Sequence, residues 1–168
     1  MGDATCLPFA DSSFDLAATA FCFSHLPAPL AGLREARRVA PALLSASFDD
    51  SWTHPAKSAV DQVLQGAGYR PPDWYAALKR EAPFDNRPAL LRLAREAGYA
   101  DAEVTRVEVD TGVRSPADLA DWRLGMAQVA GFVATLAPAA RRGVRARVEE
   151  ALQDMPPLVV PVLVLTAA

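Results

Sequence analysis

Several things are scarce in this sequence, and each scarcity narrows what the chain does. Basic charge is short: 17 Lys and Arg stand against 20 Asp and Glu, a formal net charge of -3 over 168 residues. A nucleic-acid surface needs a basic excess gathered on one face, so nucleic acid is excluded as a partner and a small-molecule substrate is expected. The one arginine cluster, Arg141, Arg142, Arg145 and Arg147, is interleaved with Val144, Val148, Ala151 and Leu152 at helical spacing, and reads as the solvated face of a helix. Cysteine is nearly absent. Cys6 and Cys22, with no basic-then-apolar leader before them, give no disulfide scaffold and no sign of secretion, so the expected compartment is a reducing cytoplasm. Long apolar runs are also missing: the longest, Leu158–Ala168, is far shorter than the roughly 20 residues a membrane-crossing helix needs.

What is present is 51% hydrophobic, in a length suited to one domain, 1–168. Phe14–Phe23 is almost continuously apolar after Asp15, which predicts a strand buried on both faces of a sheet. Pro27 and Pro29 break that run, and Leu30, Leu33, Ala36 and Ala40 return at helical spacing among Arg34, Glu35, Arg37 and Arg38. A second short apolar run, Ala42–Phe48, ends in Asp49 and Asp50. Strand, helix and strand in that order make a βαβ unit with a right-handed crossover. Beyond it the spacing predicts a helix over 55–65, an irregular or short-helical stretch over 69–84, and a helix over 88–97 capped by Gly98. A strand with one wet face is expected over 103–113. Ser115, Pro116 and Asp118 signal a further helix start, with the helix running to Gly131 or beyond. The last strand candidate, 158–166, contains Pro161, so its paired part is expected to begin at Val162.

Four groups carry candidate chemistry. Asp3 sits before a turn; Phe21 ends the first apolar run; His25 lies just past it; and Asp49, Asp50 and His54 follow the second run. An imidazole at a strand's end can take a proton from a substrate hydroxyl or carbon acid, or can brace a loop. Asp49, Asp50 and His54, together with His25, offer carboxylate and imidazole ligands, but their spacing is not diagnostic of a metal site and no metal is expected. Ser13, Ser24, Cys6 and Cys22 sit in no nucleophile-elbow pattern.

The stretch GDATCLPFADSSFDLAATAFCFSHLPAPLAGLREARRVA, Gly2–Ala40, resembles the central signature of the class I S-adenosylmethionine-dependent methyltransferases of the ubiquinone/menaquinone-methyltransferase-like, type 11, group. A weaker likeness is LLRLAREAGYADAEV, Leu90–Val104. The resemblance implies an α/β, Rossmann-like fold with a mostly parallel sheet, an antiparallel last strand, and a helical lid formed by 69–84 and 115–137. It implies S-adenosylmethionine as cofactor, with Asp3 accepting from the adenine amino group and the Ala4 amide meeting a ring nitrogen. It also implies that Ala20 and Phe21 line the sulfonium and methionine part, and that His25 is the catalytic candidate. Trp52, Trp74, Tyr75, Trp122, Met126 and Phe132 are candidates for an apolar acceptor wall.

The family's glycine-rich turn after its first strand, and the acidic residue ending its second, have no counterpart here. The resemblance therefore implies an N-terminally truncated form, short by on the order of 60 to 90 residues if each strand-helix step takes about 30. A start codon placed too late, a gene fragment, or a short form completed by a partner chain would each produce it. The first strand, 14–23, is then expected at a bare edge, open to a dimer or a partner chain. The function expected is methyl transfer to a small molecule in the intact enzyme, with this chain alone impaired, and a catalytically silent binding or assembly subunit is the alternative.

Overall fold

The computed structural model describes residues 2–80 and 86–168. The chain divides into two compact units, one made of the described residues within 1–52, 82–109 and 160–168, the other of those within 53–81 and 110–159.

The first unit is a four-stranded sheet with helices. Strand β1 (Leu16–Ala20) leads through a 3-10 turn (Phe23–His25) and helix α1 (Pro29–Val39) to strand β2 (Ala42–Phe48). β1 and β2 pair in parallel, Leu16 opposite Ala42 through Ala20 opposite Ala46, which is the expected βαβ unit. Helix α4 (Arg87–Glu96) and strands β3 (Ala102–Asp110) and β4 (Val159–Ala167) complete it, in the sheet order β1-β2-β4-β3. β4 runs antiparallel to β2, from Val162 opposite Phe48 to Ala167 opposite Leu43. Pro161 thus falls just beyond the end of β2, where it removes no donor from that ladder.

The alternation along the strands sorts the side chains onto two faces. Leu43, Leu163, Leu165 and Val104 are buried with Leu33 and Ala36 of α1 and Leu90, Leu93 and Ala94 of α4 in one core. α4 stops where Gly98 takes φ 99°, a conformation closed to bulkier residues, while the Tyr99 N–H donates to the Ala94 carbonyl at 3.1 Å.

Three expectations need correction here. The expected mostly parallel sheet is met only in part: β1 and β2 pair in parallel, but β4 inserts antiparallel beside β2. β1 is shorter than 14–23 and is not buried on both faces; its residues alternate between exposed and half-buried because it is an edge strand with only one covered face. The β3 strand ends at Asp110 rather than 113, where Asp110 accepts from the Gly112 N–H and turns the chain.

The second unit is helical: α2 (Pro55–Gly66), α3 (Asp73–Arg80), α5 (Pro116–Leu124), α6 (Ala127–Thr135) and α7 (Pro138–Ala151). Ser115 caps α5 as expected, its hydroxyl accepting from the Asp118 N–H at 3.1 Å. The helix does not continue to Gly131. It breaks at Gly125, where an added Cβ would lie 2.9 Å from the Asp121 carbonyl oxygen, and restarts after the extended Met126. Within 69–84, residues 73–80 form α3, while 81–84 lie outside the described residues. Arg145 pairs with Asp121 and with Glu149 on α7 while Val144 and Val148 are buried, so the arginine cluster is a solvated helix face. No helix among the described residues is long and apolar enough to cross a membrane.

Candidate functional site

In open sheets of this kind, ligands gather where parallel strands end at their carboxyl termini. Here those ends are Ala20 and Phe21 after β1, and Phe48 and Asp49 after β2. Phe21 is the most constrained of them. Its φ is 52°, in the left-handed region that a bulky side chain occupies at a cost of about 1 to 2 kcal/mol. Two contacts hold it there. Its N–H donates to the Ala46 carbonyl at 2.8 Å, and its ring stacks on Phe48 with centroids 4.4 Å apart and planes 28° from parallel. Strain maintained in this way is characteristic of functional positions. The chain then folds into the 3-10 turn, which leaves His25 exposed, with its N–H bonded to the Cys22 carbonyl at 3.0 Å.

Asp3 lies in a tight turn. Its Oδ1 accepts from the Thr5 N–H at 2.8 Å and from the Thr5 hydroxyl at 2.7 Å, and the Cys6 N–H donates to its carbonyl at 3.0 Å. The Thr5 amide, then its hydroxyl, hold the Asp3 carboxyl below the usual carboxylate range. Asp3 is therefore an exposed anion whose acceptor capacity is only partly used, Oδ1 taking both bonds.

Two charged residues of α1, Glu35 and Arg38, anchor the segment after Asp3. Glu35 accepts the Leu7 N–H at 2.8 Å. Arg38 donates to the carbonyls of Leu7 and Phe9 at 3.1 and 2.8 Å, and to Asp11 at 2.7 Å, while pairing with Glu35 at 2.6 Å. The Arg38 guanidinium, then the Leu7 amide, hold the Glu35 carboxyl below its ordinary value. The spacing of Glu35 and Arg38 signals a helical pair, but nothing local signals their partners 27 or more positions earlier.

A cavity of about 300 Å³ opens past the end of β2, lined by Asp49, Asp50, Ser51, Asn86, Arg87, Val104, Arg106 and Leu163. Asp49 is nearly buried there and ion-paired with Arg106 at 2.8 Å. The Ser51 hydroxyl first, and Arg106 after it, hold its carboxyl below the usual range against the opposing effect of burial. Asn86 caps α4 by accepting the Ala89 N–H and donates to Asp50 at 3.2 Å. Asp3, Ala4, Ala20, Phe21 and His25 do not line this cavity. Arg106 and Asn86 were not singled out from the sequence, since neither sits in a motif.

His54 lies in the helical unit. Its Nδ1 accepts from the Ala56 N–H at 3.2 Å and so caps α2, and its ring meets Trp122 edge-on at 6.1 Å. Among the described residues, no group of three or more His, Cys, Asp or Glu could hold a metal ion. Of the aromatic candidates in this unit, Trp74 packs on Tyr75 and Phe132 on Tyr69.

Residues 1–41 match the family model described as "Methyltransferase domain". No curated protein sequence matches the chain. Among solved structures, a protein described as a methyltransferase from an antibiotic biosynthesis pathway of Anabaena variabilis aligns with a TM-score of 0.60 at 13% identity, over 99% of this chain and 71% of that one. An S-adenosylmethionine-dependent methyltransferase from Thermotoga maritima aligns with a TM-score of 0.48 at 16% identity, over 99% of this chain and 61% of that one. The chain thus spans about three fifths of the length of the Thermotoga protein. The chain accordingly shares the Rossmann-like α/β fold of the Anabaena methyltransferase structure, and residues 1–41 match the type 11 methyltransferase-domain model.

Proposed function

We propose that this chain forms the adenosine-facing and acceptor-facing part of an S-adenosylmethionine-dependent methyltransferase acting on a small molecule. The observation that carries the proposal is that the family match covers the segment holding both Asp3 and the strained strand end at Phe21. When bound, S-adenosylmethionine supplies an electrophilic methyl group on a sulfonium. The residues present suit such a group. Asp3 is an anion with acceptor capacity to spare, able to take a hydrogen bond from the adenine amino group while the Ala4 amide donates to the ring. Ala20 offers small side-chain bulk at the strand end, and the Phe21 turn sets the backbone there in one orientation.

Methyl transfer rests mainly on holding nucleophile, methyl and sulfur in line, so the protein's task is positioning more than proton abstraction. In this reading the strain at Phe21 is part of that positioning. His25, exposed on its turn, takes the acceptor's proton where the acceptor is a hydroxyl or a carbon acid.

Calorimetric titration of the chain with S-adenosylmethionine tests the reading, and saturable heat is expected. In Asp3→Ala the affinity should fall on the order of tenfold, the loss of a charge-assisted hydrogen bond. Saturable binding unchanged in Asp3→Ala removes Asp3 from the site. No saturable heat with the unmodified chain favours a silent binding or assembly subunit instead.

A further inference from the structure

The cavity past the end of β2 belongs wholly to the first unit, and its lining leaves out every residue of the proposed cofactor segment. Part of that lining is apolar and buried, Val104 and Leu163. Four charged residues line the rest. Two of them neutralise each other: the Asp49 side chain, 9% exposed, pairs with Arg106 at 2.8 Å. The other two stand unneutralised. Among the described residues, neither Asp50 nor Arg87 forms an ion pair, with each other or with any third group. An anion and a cation thus line one cavity of about 300 Å³ without closing on each other.

Asn86 fixes this arrangement. Its side-chain nitrogen donates to Asp50 at 3.2 Å while its side-chain oxygen accepts from the Ala89 N–H at 3.0 Å, so one side chain ties Asp50 to the first turn of α4, where Arg87 is the first residue. That position is adverse for an arginine on its own, because a cation there opposes the helix macrodipole and no acidic residue in the turn offsets it. The turn's amides are mostly spoken for. Asn86 takes the N–H of Ala89 and, through its backbone carbonyl, that of Leu90; Pro88 has none; and the Arg87 N–H has no hydrogen-bond partner among the described residues. Arg87 therefore presents an anion with a guanidinium and an amide on one residue, at the positive end of a helix. Asp50 keeps acceptor capacity for a cation, since Asn86 occupies only Oδ2.

We propose that this cavity binds a small zwitterion, an α-amino acid with an apolar side chain, its carboxylate on Arg87, its ammonium on Asp50 and its side chain against Val104 and Leu163. A ligand with one charge satisfies one of the two groups and is repelled by the other, whereas a zwitterion satisfies both. The Asp49 and Arg106 pair adds no net charge and so does not tilt that choice. The volume is at the lower end of the range for small-molecule sites, which suits an amino acid better than a nucleotide.

Titration of the whole chain with L-valine, followed by the amide chemical shifts of the labelled protein, tests the proposal. Isobutylamine and isovalerate serve as the analogues that lack the carboxylate and the ammonium. Saturable shifts at Asp50, Ser51, Arg87 and Arg106 are expected with valine below about 10 mM, and each analogue should bind about tenfold more weakly or worse. Both charged residues are exposed, so Arg87→Gln and Asp50→Asn should keep the far-UV circular dichroism of the parent. Each should weaken valine about tenfold. Arg87→Gln should leave isobutylamine binding no weaker, and Asp50→Asn should leave isovalerate binding no weaker. Valine that does not saturate, or that binds no more tightly than either analogue, overturns the proposal. So does valine binding unchanged in a folded variant; if one variant fails to fold, the other decides. The proposal does not rest on the cofactor reading, and S-adenosylmethionine titration tests that reading separately.

Discussion

Phe21 offers a prediction in which the usual order of two substitutions reverses. Glycine in place of alanine normally costs about 0.5 to 1 kcal/mol, because glycine loses more backbone freedom on folding. At Phe21 the backbone sits at φ 52°, where any residue with a Cβ carries about 1 to 2 kcal/mol of strain that glycine does not. Both Phe21→Ala and Phe21→Gly lose the stack on Phe48, about 0.5 to 1.5 kcal/mol, and both lose a half-buried ring, about 1 kcal/mol more. Those losses cancel between the two variants. What remains is strain relief less the entropy term, so Phe21→Gly should be more stable than Phe21→Ala by about 0.5 to 1 kcal/mol. With a urea slope near 2 kcal/mol per molar, the midpoints should differ by about 0.3 to 0.5 M. A Phe21→Ala midpoint equal to or above that of Phe21→Gly would refute the claim that strain is stored at this strand end. The same pair bears on function: if the ring and the fixed turn position the cofactor, both variants should bind S-adenosylmethionine more weakly despite their different stabilities.

Two further predictions concern buried polar groups. In the helical unit Arg123, 7% exposed, pairs at 2.6 Å with Asp61, 38% exposed. Asp61→Ala strands a buried cation and should cost about 2 to 3 kcal/mol, discounted from the fully buried case because Asp61 is partly wet; Arg123→Met leaves a carboxylate that water can reach and should cost under about 1 kcal/mol. Urea midpoints check the asymmetry, and equal losses would contradict it. Tyr99 is 1% exposed, its hydroxyl has no hydrogen-bond partner among the described residues, and burial pushes its pKa up to about 12. Its folded state therefore holds the proton more tightly than the unfolded chain, which releases it near pH 10, so this contribution to stability is full below about pH 10 and is lost as pH rises towards 12. Tyr99→Phe should be at least as stable as the parent at pH 7 and should lack that alkaline decline, both read by unfolding across a pH series.

The parts legible in the sequence were those set by short-range pattern. β2 falls on Ala42–Phe48 because an apolar run bounded by Pro41 and two aspartates leaves little choice of ends. The Ser115 cap and the Gly98 stop follow from the chemistry of single residues. Interactions decided elsewhere in the chain were not legible. The Phe14–Phe23 run is apolar along its whole length, but only the Ala46 carbonyl and the Phe48 ring, 25 or more residues on, determine that the strand ends at Ala20. Asp49 reads as a loop charge until Arg106, 57 positions later, is found across the cavity.

The strand nearest the proposed cofactor is also the least able to hold itself in place. β1 reads LAATA, and alanine is depleted in strands because it offers little side chain to pack across a pleat. It is an edge strand, so all its ladder hydrogen bonds come from β2 alone. The carboxyl end is held by the Phe21 amide and ring against Ala46 and Phe48, and the segment entering the amino end by Ser12 and Phe14 bonding to the end of α1. Small side chains along β1 leave room for a ligand to approach the backbone, at the expense of packing that would otherwise fix the strand. The strained aromatic clamp compensates at the one end where position matters for chemistry. It follows that loosening β1 at Phe21 should affect cofactor binding before it affects the fold, because the core on the covered face is built from β2, β3, β4, α1 and α4 and takes only Ala17 from β1.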